Sequence, residues 1–297
     1  KLVFSILVIF YSILRSFIFL LTNRPNLIFG MGGYSSFPIC IAAKILRIPF
    51  IIYENNLYMG KANKYLLPFA KKIFVSNKEV EGISKKYSKK VFEIGNIIRK
   101  EILNFQVNFN PIEKNEKLKI LILGGSQAAK IFAIKLAEIF KKCHEAKIPF
   151  KIYQQCLPEQ NKFLTSFYKD LNIDHEIFNF TDNILNYFNK TNLAITRSGS
   201  SMLAELINAK VPFIAVPLPS SADDHQLKNA TYYYKNGYSY LIEEKDLNFK
   251  LFQLIDKISK DPSLLSQMIS KQREYSDKSV YKNIDKHINK MLHNEEY

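Results

Sequence analysis

The sequence predicts an α/β protein made of two doubly wound, Rossmann-like domains. Its apolar residues fall in short continuous runs, each followed by a helical pattern, as parallel strands covered on both faces require. The alternation stops once, at a polar stretch around Pro111, and then restarts. Glycine-rich or polar turns stand at the ends of the runs. A chain of 297 residues exceeds what one hydrophobic core organises, and 47% hydrophobic with 23% charged residues excludes a disordered chain.

The elements follow in order. Residues 2–21 form an apolar helix interrupted by Arg15, by Tyr11 and by serines at 5, 12 and 16. Its length approaches a bilayer span, but a central Arg is costly there and no small-residue cleavage site follows. It runs into Asn23, Arg24 and Pro25 and then a strand, as a helix within an α/β domain does. Its apolar residues cover more than one face, so a helix lying in a membrane interface is the second reading and a true span the third. The chain opens at Lys1 rather than Met and is read as a fragment.

Strand 26–29 is followed by Gly30, Met31, Gly32 and Gly33 and a helix over 35–46. Strand 50–53 ends in Glu54, Asn55 and Asn56 before a helix over 61–69. Strands 72–75 and 90–94 complete the first half, the latter ending at Gly95 and Asn96. The polar stretch 108–117 is the expected linker. The second half then reads as strand 118–123, a turn Gly124, Gly125, Ser126 and Gln127, helix 129–142, strand 150–154, helix 158–169, strand 174–178 and helix 183–189. Strand 192–196, a Ser-Gly turn, a helix bearing Glu205, strand 212–216 and a polar loop before another helix follow. The expected domains are 1–110 and 111–270, with helix 271–297 packing back toward the first. Ligands of such sheets bind beyond the strand carboxyl ends, so the turns should line one cleft.

Net charge is +15, spread as single lysines and short pairs. It reads either as solvated faces or as attraction to an anionic partner, such as a phosphorylated substrate or an anionic lipid surface. No RNA-recognition signature, zinc-finger spacing or Arg-rich arm is present, which argues against nucleic acid. Cys40, Cys143 and Cys156 are scattered and form no metal or disulfide pattern, so a reducing, cytoplasmic compartment is expected.

Five segments, with Arg99, carry the candidate chemistry. Gly32, Gly33 and Tyr34 follow a strand and open a helix, where a backbone without Cβ atoms can approach a diphosphate. Ser126 stands in the matching turn of the second half with a hydroxyl added. Neither turn is a Rossmann or Walker fingerprint, which argues against NAD and ATP. Residues 195–205, Ile-Thr-Arg-Ser-Gly-Ser-Ser-Met-Leu-Ala-Glu, run from strand to helix start, and Glu205 sits one turn in, placed to accept two hydroxyls of a ribose. Glu54, Asn55 and Asn56 are either capping groups or hydroxyl ligands, and Arg99 either pairs with a phosphate or makes a surface ion pair. Asp223, Asp224, His225 and Gln226 match no metal-site spacing, so no metal and no cofactor is expected, and Asp223 reads as well as a helix cap.

Taken together, NLIFGMGGYSSFP, IIYENN, VFEIGNIIR, LILGGSQAAK, ITRSGSSMLAE and VPLPSSADDHQLKNA resemble, collinearly from residue 26 to about 230, the peptidoglycan UDP-N-acetylglucosamine:lipid I N-acetylglucosaminyltransferase family. The resemblance implies the GT-B fold and transfer of N-acetylglucosamine to the C4 hydroxyl of lipid I, with inversion, giving lipid II. It also implies a donor site lined by Asn56, Arg99, Ser126, Thr181, Ser200, Ser201, Met202, Leu203, Ala204, Glu205 and Gln226. Glu205 would hold the ribose, Ser126 a phosphate oxygen and Gln226 the sugar hydroxyls, with Gly32, Gly33 and Tyr34 forming the acceptor and diphosphate loop. Glu54 matches a carboxylate near the reacting sugars and stands as the candidate catalytic base. The family's first Gly-rich loop, whose His is the other candidate catalytic group, would precede the first helix, and the chain is expected to be truncated before it. Tyr53 replaces the family's His, Asn55 its Gln, Ala128 a Gly and Ile98 a Val beside a missing Pro, and Gln154, Gln155, Cys156 and Leu157 replace a His-Gln-Thr-Gly-like strand end. The resemblance favours the interfacial reading of the first helix and implies a peripheral protein on the cytoplasmic face of the inner membrane. The rivals are another lipid glycosyltransferase of the same fold and a non-catalytic nucleotide-sugar-binding module.

Overall fold

The computed structural model describes residues 2–105 and 116–293, with side chains described from Phe4 onward except over 125–130. Two compact units emerge, one of Lys1–Ile97 with Asp277–Tyr297 and one of Ile98–Ser276. The first unit closes at Ile97, ahead of the expected 110, because the short helix α4 (Lys100–Asn104) packs on α8 (Ser200–Ala209) of the second. Most of the expected linker lies outside the described residues.

The first unit opens with helix α1 (Leu2–Asn23). Strands β1 (Ile28–Gly30), β2 (Phe50–Glu54), β3 (Lys72–Val75) and β4 (Val91–Glu93) form one parallel sheet in that order. Helices α2 (Gly33–Ile45) and α3 (Lys61–Leu66) make the first two crossovers. Every residue of β2 and β3 is buried, as strands covered on both faces must be. Leu20 of α1 joins the core that Cys40, Phe50, Ile52, Ile73 and Val75 build, while Phe4, Phe10, Ile18 and Phe19 face outward. The C-terminal helix α12 (Val280–Leu292) lies on the same sheet, with His287 against Phe92 and Asn283 donating to the Ile94 carbonyl at 3.3 Å.

In the second unit, six parallel strands run in the order β10-β9-β8-β5-β6-β7. They are β5 (Leu118–Leu123), β6 (Phe150–Gln155), β7 (His175–Phe178), β8 (Leu193–Arg197), β9 (Phe213–Val216) and β10 (Tyr240–Leu241). The central pair β5 and β8 registers Leu123 opposite Thr196, so β8 runs one residue further, to Arg197. Helices α5 (Gly125–Glu145), α6 (Asn161–Asp170), α7 (Ile184–Lys190) and α9 (His225–Lys235) join α8 as crossovers, and α10 (Leu247–Lys260) and α11 (Ser263–Arg273) follow. Phe132, Leu136 and Phe140 of α5 meet Leu251, Ile255 and Ile258 of α10 in one continuous core.

Candidate functional site

Parallel strands place their following turns at one edge of each sheet, and the expected site residues all stand on such edges. In the second unit, α8 begins with Gly199 at the cap position and no side-chain cap. A helix start of this kind presents main-chain amides and the positive end of its dipole to an anion. Leu203 and Ala204 are fully buried in the core, so they can meet a ligand only through their backbone. Glu205, one turn in, accepts Arg99 Nε at 3.2 Å and Nη2 at 2.9 Å. Arg99 stands just before α4, which lies against α8.

Two further strand ends are tied to this start. Gln226 Oε1 accepts the Ser198 amide at 3.2 Å and the Leu218 amide at 3.0 Å, bridging the turns that follow β8 and β9. Its oxygen is thus committed, and the amide nitrogen is what it can turn toward a hydroxyl. Asn229 donates to the Ser198 carbonyl at 3.1 Å and holds the turn from below. Next to it, α5 also starts at a glycine, Gly124, without a side-chain cap. The Ser126 side chain lies outside the described residues. Thr181 follows β7, where its hydroxyl oxygen accepts the Asn183 amide at 3.0 Å. Strands β6 and β5 separate it from β8, on the order of 14 Å at normal strand spacing.

The acidic turn before α9 is built differently from a cap. Asp223 and Asp224 both adopt left-handed backbone conformations, at φ 52° and 54°, and α9 has no side-chain cap. Sequence reading also missed Arg197. It is buried, bonded to Glu244 and the Pro217 carbonyl, and stacked 4.6 Å from the centre of the Phe132 ring, so it supports the strand ends from inside. Its partner lies 47 residues away, and no local pattern points to it.

In the first unit, β1 and β2 are neighbours, so the loops after Gly30 and Glu54 lie side by side. Gly32 and Gly33 are left-handed, at φ 79° and 73°, and Tyr34 is exposed. A Cβ on Gly32 would stand 3.0 Å from the Tyr53 carbonyl oxygen, so only glycine passes here without a shift. Burial pushes the Tyr53 phenol pKa up, and its oxygen accepts the Ile97 amide at 3.1 Å. This side chain, standing where the resemblance puts a His, therefore stitches β2 to the segment after β4. Glu54 is buried and accepts four donors: the Asn56 amide at 3.1 Å, and Asn56 Nδ2, the Gly60 amide and Asn63 Nδ2 at 2.9 Å each. The expected base is thus fully engaged, and Asn56 is bound to it.

Comparison with known proteins places the chain in a family. Residues 119–287 match the glycosyltransferase family 28 C-terminal domain and residues 1–75 its N-terminal domain. The UDP-N-acetylglucosamine–N-acetylmuramyl-(pentapeptide) pyrophosphoryl-undecaprenol N-acetylglucosamine transferase of Pelagibacter ubique is 35% identical, over 90% of this chain and 75% of its own length. The enzymes of that name from Rickettsia bellii and Francisella tularensis are each 32% identical, over 90% and 96% of this chain and 77% and 78% of their own. Among solved structures, Acinetobacter baumannii MurG superposes with a TM-score of 0.76 at 24% identity, over 96% of this chain and 80% of that one. A Neisseria meningitidis UDP-GlcNAc 2-epimerase bound to UDP-GlcNAc gives 0.66 at 15% identity, over 95% and 81%, a likeness of fold alone.

Proposed function

Since the chain belongs to glycosyltransferase family 28, among the N-acetylmuramyl-(pentapeptide) pyrophosphoryl-undecaprenol N-acetylglucosamine transferases, we propose that it moves N-acetylglucosamine from UDP-N-acetylglucosamine to the C4 hydroxyl of lipid I. The observation that carries the reading is the glycine-started helix α8, with Glu205 one turn in and Arg99 on its carboxylate. The ribose hydroxyls donate to Glu205, Thr181 flanks the base, and Ser126 and the α8 amides meet the diphosphate. The Gln226 amide nitrogen and Asn56 hold the transferred sugar, and Gly32, Gly33 and Tyr34 border the acceptor.

In the reaction, the acceptor C4 oxygen bonds to the anomeric carbon from the face opposite the nucleotide. The bond from that carbon to the UDP oxygen breaks, its electron pair leaves with UDP, and the hydroxyl proton passes to a base. Inversion follows from this single displacement. Negative charge growing on the leaving oxygen is met by helix-start amides and Arg99, and an oriented donor of this type contributes about 3 kcal/mol to lowering the barrier.

The same reading makes the chain peripheral on the cytoplasmic face of the inner membrane. It is supported by the outward apolar residues of α1, by a cleft bordered by Lys44, Arg47 and Lys71, and by the net charge of +15. Anionic lipid attracts such a surface.

The test is a transfer assay of the full-length protein with UDP-N-acetylglucosamine, lipid I and diacylglycerol as rival acceptors. Product from lipid I alone is expected. Transfer to diacylglycerol favours another lipid glycosyltransferase, and UDP binding without turnover favours a non-catalytic module.

A further inference from the structure

Glu54 ends β2 with only 4% of its surface exposed. A carboxylate offers about four lone-pair directions. Here all four are met, and every donor is an N–H: the backbone and side chain of Asn56 on Oε1, the Gly60 amide and Asn63 Nδ2 on Oε2. A proton placed on either oxygen would point at one of these donors and force it away. A general base needs an oxygen open to the substrate hydroxyl, within hydrogen-bond reach. Glu54 has none.

Asn63 shows the same bias. It is 1% exposed, and Nδ2 donates to both Glu54 Oε2 and the Tyr53 carbonyl at 2.9 Å, while Oδ1 is buried without a partner. An amide gives up an acceptor in this way where its two hydrogens are both needed by stronger oxygens. The knot also borders the first glycine loop, since a Cβ on Gly32 would lie 3.3 Å from Asn63 Nδ2.

We propose that Glu54 is a positioning residue: as an acceptor of four N–H donors, it fixes Asn56 for the donor sugar and takes no part in removing the acceptor proton. This rests on the reading that Asn56 lines the donor site. It identifies the carboxylate with the shaping of the loop, with Asn63 as its buried support.

The experiment compares the full-length parent with Glu54→Gln, Asn56→Ala, Asn63→Ala and the double variant Glu54→Gln/Asn56→Ala. Donor affinity is measured by calorimetry with UDP-N-acetylglucosamine, and kcat and KM with lipid I across pH. Glu54→Gln and Asn56→Ala should each weaken donor binding about tenfold, the loss of one good hydrogen bond to a charged or oriented group. Asn63→Ala should weaken it about threefold, less than its partner because one donor of four is lost. The double variant should be no worse than Asn56→Ala, since residues acting as one unit are not additive. The acid limb of the kcat profile should keep its place in Glu54→Gln. Donor affinity unchanged with kcat lowered about 100- to 10,000-fold and the acid limb lost, as for removal of a base, overturns the proposal. So does a double variant whose losses multiply. If the parent binds no UDP-N-acetylglucosamine, the donor reading fails by itself. Amide exchange then judges Glu54, because the Asn56 and Gly60 amides must exchange faster in Glu54→Gln than in the parent, and equal rates overturn it. Asn63→Ala keeps the carboxylate intact and serves where Glu54→Gln does not fold.

Discussion

Arg99 and Glu205 face one another in a two-point ion pair, Nε to Oε1 at 3.2 Å and Nη2 to Oε2 at 2.9 Å. The guanidinium stands on the oxygens that the ribose hydroxyls are expected to use. We expect nucleotide entry to turn Arg99 aside, toward the diphosphate it is proposed to hold.

This sets opposite outcomes for the two residues. Glu205→Ala should weaken both uridine and UDP-N-acetylglucosamine by roughly 10- to 100-fold, the range for hydrogen bonds to a charged group. Arg99→Ala should weaken the nucleotide sugar but leave uridine bound as well or better. Because the Arg99 side chain is nearly half exposed, breaking the pair should change stability by less than about 1 kcal/mol. Calorimetry with both ligands and thermal melts decide it, and loss of uridine binding in Arg99→Ala would contradict the displacement.

Gln226 has a structural oxygen and a functional nitrogen. Gln226→Leu should unfold earlier, since the Ser198 and Leu218 amides lose their acceptor at a cost of about 1–3 kcal/mol each. Gln226→Glu keeps an acceptor for both, so its melting temperature should match the parent while donor affinity falls about tenfold. A Gln226→Glu protein with full donor affinity would refute the sugar assignment.

The two glycines of the first loop separate strain from contact. Both are left-handed, but a Cβ on Gly33 meets nothing within 4 Å, whereas on Gly32 it meets the Tyr53 carbonyl oxygen at 3.0 Å. Gly33→Ala should cost about 1–2 kcal/mol from backbone strain and Gly32→Ala more than that. Equal costs in urea denaturation would show that the contact relaxes.

Burial holds the Cys40 thiol up at about 11 and the Cys143 thiol up at about 12, from an ordinary value of 9.0. A folded value above the unfolded one stabilises fully below the unfolded value. That contribution is lost as pH climbs from about 9 through the folded values. Neither thiol should react with iodoacetamide at pH 8.5 unless the chain unfolds, and urea midpoints should fall between pH 8.5 and 11. Native labelling of Cys40 at the rate of a free thiol would contradict the burial.

For α1, Phe10→Asp and Ile18→Asp replace exposed side chains and should leave the melting temperature within a degree or two while reducing flotation with anionic vesicles. Equal flotation of both variants and parent would reject the membrane reading.

Much of this architecture was legible in the sequence because it is written locally. Strands 72–75 and 118–123 lie where the apolar runs place them, residue for residue. Helix starts were less legible: α5 begins at Gly125 rather than 129, since glycines read as turn until a helix dipole is seen to need no side-chain cap. Strand β10 is two residues long and carries no periodicity. The site was legible as residue types but not as partners. Glu54 stands out in sequence as a lone carboxylate at a strand end, and its role changes once Gly60 and Asn63, six and nine residues on, are found on it. Arg197 gives no signal in the sequence, because Glu244 and Phe132, which enclose it, are distant along the chain.

The uncapped start of α8 has a consequence for how this protein can be dissected. Atoms that belong to the peptide chain survive every alanine substitution, so replacing Ser200, Ser201 or Met202 would leave in place the main-chain amides proposed to meet the diphosphate. Exchanging an amide for an ester there, or introducing a proline that removes one N–H, is the operation that tests whether those amides meet the diphosphate.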